Sequence, residues 1–277
     1  MLLKIIITDL KRVFSSKWFL LSVIGCFGLC LCAIIGLDEK TNDNIFVFSM
    51  IGKKGLEKLG PEYGAFEVFL RGIATWFPIY APVIISFSFV PLLLEERNSR
   101  ATILYITRQS RIKYLVGNAV TSVIAGGVSM LSGFLLYGIV VFFTFPHMDT
   151  VIHTGKPVII VLKCMACIFA YSAFFSLFTL AVSVFTDNIY IVLCIPFFID
   201  YSYNQIYLSF VEKSASRAGG ITPVRQWIIE NCLPRNILML YENPEPKLWL
   251  PFILITVALI FVLVYMLLSR RKVEVCG

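Results

Sequence analysis

Long stretches of this chain carry no charge, and the residues that most often do chemistry are few. Histidine occurs twice, at His147 and His153, and charged residues fill 15% of the 277 positions. The phosphate-cradling pattern G-x-x-x-x-G-K-[ST] is absent, which excludes nucleotide binding by that loop. There is no internal repeat and no low-complexity tract. The eight cysteines make no disulfide framework: Cys26, Cys30 and Cys32 share one apolar run, Cys164 and Cys167 another, and Cys194, Cys232 and Cys276 stand apart. The C-x-x-C pair at Cys164 and Cys167 needs a second ligand pair to hold zinc, and neither the histidines nor the charge-free runs supply it. Buried thiols packing as small hydrophobes fit better. No small-x-small cleavage site follows the first apolar run before Asp38, so that run is expected to be a retained helix rather than a signal.

What the chain has in excess is apolar length. Hydrophobic residues make up 58% and the mean hydropathy is +0.83, far above a soluble domain. About 20 apolar residues cross a bilayer core, and six stretches qualify: 18–37, 73–94, 115–145, 157–185, 189–210 and 248–268. Without water in the hydrocarbon each must satisfy its own backbone, so each is expected to be helical. The expected fold is one all-α integral membrane domain over 1–277. Lys/Arg placement sets its orientation. With the N-terminus inside, residues 1–17, 95–114, 186–188 and 269–277 hold 12 Lys/Arg against 5 Asp/Glu, whereas the outer pieces hold 11 of each. The net charge of +7 therefore sits on the cytoplasmic face with both termini. Anionic lipid accounts for such a balance, and no nucleic acid is needed.

Residues 1–16 read as an interfacial helix, with Leu3, Ile6, Ile7, Leu10 and Phe14 on one face and Lys4, Thr8, Lys11 and Ser15 on the other. A plain basic flank to the first span is the alternative. Tyr63 to Leu70 reads as a short surface helix. The second span carries Pro78, Pro82 and Pro91, which kink a membrane helix and free its carbonyls, for a pathway or for packing. The third has a small-residue face, and its Ser129/Gly133 pair suits close helix approach, within the subunit or in assembly. Thr186, Asp187 and Asn188 alone join the fourth and fifth spans in a tight hairpin. Thr222-Pro223 opens a short outer helix before the last span.

The polar segment from Glu95 to Tyr114 lies between two charge-free runs. Asn98 or Ser99 can cap a short helix to about Thr107, and Ser110 can cap the entry to the third span. Such a helix, flanked by Glu95, Glu96, Arg97, Arg100, Arg108 and Arg111, suits a protein partner of mixed charge; a basic loop touching only lipid is the alternative. With the interfacial helix, six spans and the outer helix, this segment resembles the type-2 ABC transporter permeases. In that family the second span runs into a cytosolic coupling helix, E-x-x-x-G-T-x-x-x-L, followed by a Ser-Arg turn and a Gly-Lys entering the third span. Here Glu96 to Leu104 (ERNSRATIL), Ser110-Arg111 and Gly117 stand in those places. Ala101 replaces the family's glycine, Arg108-Gln109 its proline, and Asn118 its lysine.

The resemblance implies a permease of an ATP-driven exporter in a bacterial cytoplasmic membrane. Glu95, Glu96, Arg97, Arg100, Thr102, Leu104, Arg108, Arg111 and Lys113 would meet a separate cytosolic ABC ATPase, present in two copies and holding ATP and Mg. A second permease chain, identical or related, would complete the complex, with an amphipathic peptide, lipid or hydrophobic drug as substrate. The chain itself would bind no cofactor or metal and catalyse nothing. Small, Phe-rich permeases of this kind resemble those of peptide-antibiotic export and self-immunity.

Two charges fall within spans, Lys163 and Asp200. An ionisable group at membrane depth is a functional-site hypothesis by default. Both are expected in the outer half, where they can pair with each other, line a pathway, or leave Lys163 to snorkel alone. A rival class is the intramembrane glutamic protease, since Glu95 to Arg100 fits E-E-x-x-x-R and Phe143 to His147 fits F-x-x-x-H. The expected topology opposes it, putting these motifs at opposite faces of a hydrocarbon layer about 30 Å thick. A channel or structural membrane subunit is the other alternative.

Overall fold

The computed structural model describes residues 2–37, 44–51, 64–99, 111–145, 157–215, 234–238, 255–265 and 267. Four helical stretches among them are long and apolar enough to cross a bilayer: Phe77–Asn98, Ile112–Thr144, Pro157–Val182 and Ile189–Ile206. The chain is mostly helical, with the character of a multi-pass membrane protein. Large apolar side chains such as Leu20, Ile24, Leu136, Phe143, Leu162 and Phe198 point outward from these and neighbouring helices. Such a surface is stable in lipid and not in water.

Helix α1 (Leu2–Phe14) is bent by 64° from α2 (Lys17–Leu31) across Ser15-Ser16. Ser16 caps the second helix by accepting from the Phe19 N–H at 3.2 Å. Helix α1 meets three environments. Val13 is buried in the bundle, Leu3, Ile7 and Phe14 are exposed apolar side chains, and Lys4, Lys11 and Ser15 are exposed polar ones. That is the arrangement an interfacial helix requires.

The expected first span, 18–37, is only in part helical. Its helix stops at Leu31, and Ile34–Leu37 is strand β1, paired antiparallel with β2 (Asn44–Phe46) through a bulge between Ile34 and Gly36. A β-branched pair followed by glycine favours extended backbone over a further helical turn. Two short helices follow, α3 (Val47–Met50) and α4 (Ala65–Arg71). The expected surface helix over Tyr63–Leu70 is instead a core element: Ala65, Val68, Phe69 and Leu70 of α4 are buried.

The second span is broken into α5 (Phe77–Phe87) and α6 (Val90–Asn98), the latter running past the expected end at Leu94. Pro91, in the first turn of α6, has no N–H to offer the Phe87 carbonyl, which explains the break, and a second proline acts within α5. Pro82 has no N–H for the Pro78 carbonyl, which instead accepts from the Tyr171 hydroxyl at 2.9 Å. At the break the Ser88 N–H turns to the Ile85 carbonyl, and Ser22 donates to the Ile84 carbonyl at 2.8 Å. Freed carbonyls thus find hydroxyls from neighbouring helices.

Helix α7 (Arg111–Thr144) is the longest element, with 34 residues, and α1, α2, α4, α5 and α8 (Pro157–Val182) all pack on it. Its glycines serve different neighbours: Gly133 lies against α2, Gly127 against Phe169 and Gly138 against Phe69. The small-residue face is therefore used within the subunit. Helix α9 (Ile189–Ala215) is capped by Asn188, which accepts from the Tyr190 N–H at 3.0 Å, and packs on α5 and α8. A 3-10 turn (Pro234–Ile237) packs on α8, and an apolar helix α10 covers Ile255–Tyr265 within the expected sixth span. The expected outer helix after Pro223 lies outside the described residues.

The interior divides in two at the Ser88 break. One core, built on Phe69, Phe77, Phe134, Tyr137, Tyr171 and Phe175, fills the end that carries the β1–β2 hairpin. The other, built on Val13, Phe89, Leu93, Tyr114, Leu180 and Tyr265, fills the α1 end. Between them lies a belt of buried hydroxyls: Ser22 meets Ser129 at 3.1 Å, and Ser86 meets Thr179 at 2.8 Å. Cys26, Cys30 and Cys164 are buried free thiols, packed as small hydrophobes.

Candidate functional site

Arg12, Glu95, Glu96 and Arg97 gather where α6 ends. Glu95 is exposed, while Glu96 and Arg97 are part-buried and turn in opposite directions. Glu96 pairs with Arg12 in the last turn of α1 and accepts from the Tyr114 hydroxyl of α7 at 3.5 Å. Arg97 donates to the carbonyl of Ser183 and to its hydroxyl, the latter at 3.3 Å. Ser183 follows the last residue of α8, so this guanidinium sits at the negative end of that helix and fills carbonyls it leaves open. One helical turn is thereby fastened to α1, α7 and α8. Asn118 of α7 donates to the Tyr265 hydroxyl at 3.4 Å and draws α10 to the same level.

Of the sequence-predicted interface, Glu95, Glu96 and Arg97 lie on this turn, and Lys113 is exposed in the first turn of α7. Arg111 begins α7. Arg100, Thr102, Leu104 and Arg108 lie outside the described residues. Asn98 ends α6, and the Ser99 hydroxyl donates back to the Glu96 carbonyl at 3.2 Å as its C-terminal cap; the short helix expected from there to about Thr107 lies outside the described residues. The ties from Arg12 and Ser183 were not foreseen, because their partners lie 84 and 86 residues away in sequence.

On α1, outside the spans, Asp9 lies close to Arg12. Burial pushes its carboxyl above the usual range, and the guanidinium opposes that shift. Breaking the Arg12–Glu96 pair by Arg12→Ala is expected to cost only about 0.5–1 kcal/mol, since Arg12 is part-exposed. Amide hydrogen exchange across α1 should nevertheless accelerate, and the reversed pair Arg12→Glu/Glu96→Arg should slow it again. Unchanged exchange in the single variant would mean the pair does not hold α1.

At the hairpin end, Asp200 does not pair with Lys163. Its Oδ2 accepts from Nε and Nη2 of Arg235 at 3.2 and 3.1 Å, on the 3-10 turn that plugs the bundle. Lys163 is exposed on α8. The pairing was hidden because Arg235 sits in the long loop assigned to the aqueous face. Tyr80, Phe197 and Tyr201 stack along α5 and α9 nearby, with ring centroids 5.7 and 5.9 Å apart.

Comparison with protein-family models, with curated proteins and with solved structures finds no match. The chemistry must therefore be judged from the residues. For the protease arrangement, Glu95 lies on the last turn of α6, tied to the start of α7 through Glu96 and Tyr114, while Phe143 lies at the far end of α7, whose 34 residues rise about 51 Å. His147 lies outside the described residues. A carboxylate and an orienting histidine must approach within hydrogen-bond reach of one water, and a motif so placed does not bring them there.

Proposed function

We propose that this chain is the membrane-spanning permease subunit of an ATP-driven ABC exporter in a bacterial cytoplasmic membrane. In this reading it crosses the bilayer six times, with both termini and the α1 end in the cytoplasm. The observation that carries the proposal is the last turn of α6, held at once to α1, α7 and the end of α8. A push on the segment between α6 and α7 passes into three helices together, which suits a rigid-body switch biased by a partner. That segment also carries Arg100, Arg108, Arg111 and Lys113.

The chain has no phosphate-binding loop, so ATP and Mg would be held by a separate ATPase, two copies of which dock on residues 95–113. A second permease chain, identical or related, would face it across the translocation path. An amphipathic peptide, a lipid or a hydrophobic drug, exported for antibiotic release or self-protection, suits the extent of apolar helix surface.

Affinity purification of the tagged chain from native membranes, with mass spectrometry of its companions, tests the proposal. An ATPase bearing a phosphate-binding loop is expected in stoichiometric amount. The double variant Arg100→Glu/Arg111→Glu should lose it at least tenfold while the chain stays in the membrane. An intact chain without any such ATPase overturns the reading.

A further inference from the structure

Helix α1 buries little of itself. Among its described side chains Val13 alone is fully buried, and Arg12 adds a part-exposed ion pair with Glu96. A helix of 13 residues is marginal on its own in water, so what its other faces meet decides how firmly it holds.

Those faces follow one another in order. At 3.6 residues per turn, going round from Val13, Leu3, Phe14 and Ile7 come first, within about 40° of arc. Lys11 and Lys4 follow within the next 60° or so. All five side chains are exposed. The helix therefore presents a bundle contact, then a hydrocarbon stripe, then ammonium groups on the border of that stripe. Asp9, the one acidic residue of α1, falls about 140–160° away from the lysines. At the 64° bend Lys17 adds a third exposed cation, its Nζ 5.5 Å over the Trp18 ring, a side chain that favours the headgroup level.

We propose that this outer face of α1 binds the headgroups of anionic phospholipid, and that lipid bound there steadies the last turn of α6. Leu3, Ile7 and Phe14 enter the hydrocarbon, while Lys4 and Lys11, about 10 Å apart along the axis, meet phosphates at its border. An acidic protein surface would answer the lysines but not the apolar stripe beside them; an anionic bilayer answers both. Local opening of α1 breaks the Arg12–Glu96 pair together with the lipid contact, so lipid that binds only the folded helix favours the pair as well. The inference rests on the chain's membrane character and not on the transport reading, and its test uses neither ATP nor an ATPase.

The full chain is placed in nanodiscs in which phosphatidylglycerol replaces phosphatidylcholine stepwise, and amide hydrogen exchange is followed by mass spectrometry. Protection of α1 and of Glu95–Asn98 should rise severalfold and level off, and high salt should reverse most of the gain. Lys4→Gln/Lys11→Gln should lose that gain by about fivefold per lysine. Lys4→Arg/Lys11→Arg keeps both charges and should respond as the native chain does. Arg12→Ala should keep the response in α1 and lose it in Glu95–Asn98.

The lipid surface is overturned if phosphatidylcholine discs protect α1 as well as phosphatidylglycerol discs do. It is also overturned if the glutamine variant responds like the native chain, which would place the lipid on other basic segments. Protection of α1 by added polyglutamate, and not by phosphatidylglycerol, would assign the face to an acidic protein instead. A response in α1 of the native chain that never reaches Glu95–Asn98 overturns the steadying of α6.

Discussion

Arg235→Leu is expected to destabilise the chain by about 3–5 kcal/mol, because it leaves a buried carboxylate without its partner. The Asp200 side chain is 3% exposed, and the hydrogen bonds to its carboxylate come from Arg235. The double variant Asp200→Leu/Arg235→Leu should recover most of the loss, since an apolar pair of similar bulk avoids desolvating either charge. Thermal unfolding in detergent, compared among the native chain, both singles and the double, reads this cycle. If Arg235→Leu melts like the native chain, the 3-10 turn is not seated as described.

The second large effect is expected where α7 crosses α2. A Cβ added at Gly133 would lie 2.6 Å from the Cys26 Cβ and 2.7 Å from the Val23 carbonyl oxygen. The latter is backbone and cannot swing away, so Gly133→Ala must part the helices. A cost of about 1–3 kcal/mol is expected, as for other overpacked cores, and Gly133→Leu should prevent stable folding. Parting these helices would also stretch the Ser22–Ser129 contact one turn away. Gly28 is the control: a Cβ there meets nothing within 4 Å, so Gly28→Ala should gain up to about 1 kcal/mol from helix propensity. Equal melting of the two alanine variants would refute close approach at Gly133.

Much of the architecture was legible because the bilayer imposes a simple rule of apolar length. The runs around 115–145, 157–185 and 189–210 each became one helix within a few residues of their expected ends. The bend into α2 was legible from the changing faces of α1. Where the reading failed, local sequence was ambiguous. Ile34–Leu37 is as apolar as a helix end, and only its pairing with Asn44–Phe46 makes it a strand. The prolines of the second span signalled a kink, but the hydroxyls that satisfy the freed carbonyls, those of Tyr171 and Ser22, lie on other helices.

The candidate site was legible only in part. Composition marked Glu95, Glu96 and Arg97 as the edge of a polar segment, but gave no hint that they bind α1 and α8. An ion pair across 84 residues and a guanidinium–carbonyl hydrogen bond across 86 leave no pattern in sequence. Lys163 and Asp200 were matched by depth alone, and depth does not count a loop that folds back into the bundle.

The length of α7 decides where that segment stands. Its rise of about 51 Å exceeds the 40–45 Å or so of a bilayer counted with its headgroups. Inclined by the roughly 20° usual for membrane helices, it would still run from one polar layer to the other. The last turn of α6 is level with the start of α7 through the Glu96–Tyr114 contact. On the proposed reading, Ser99 and Arg111, which bound the intervening stretch, would both stand at the water's edge, where a soluble partner would meet them without displacing lipid.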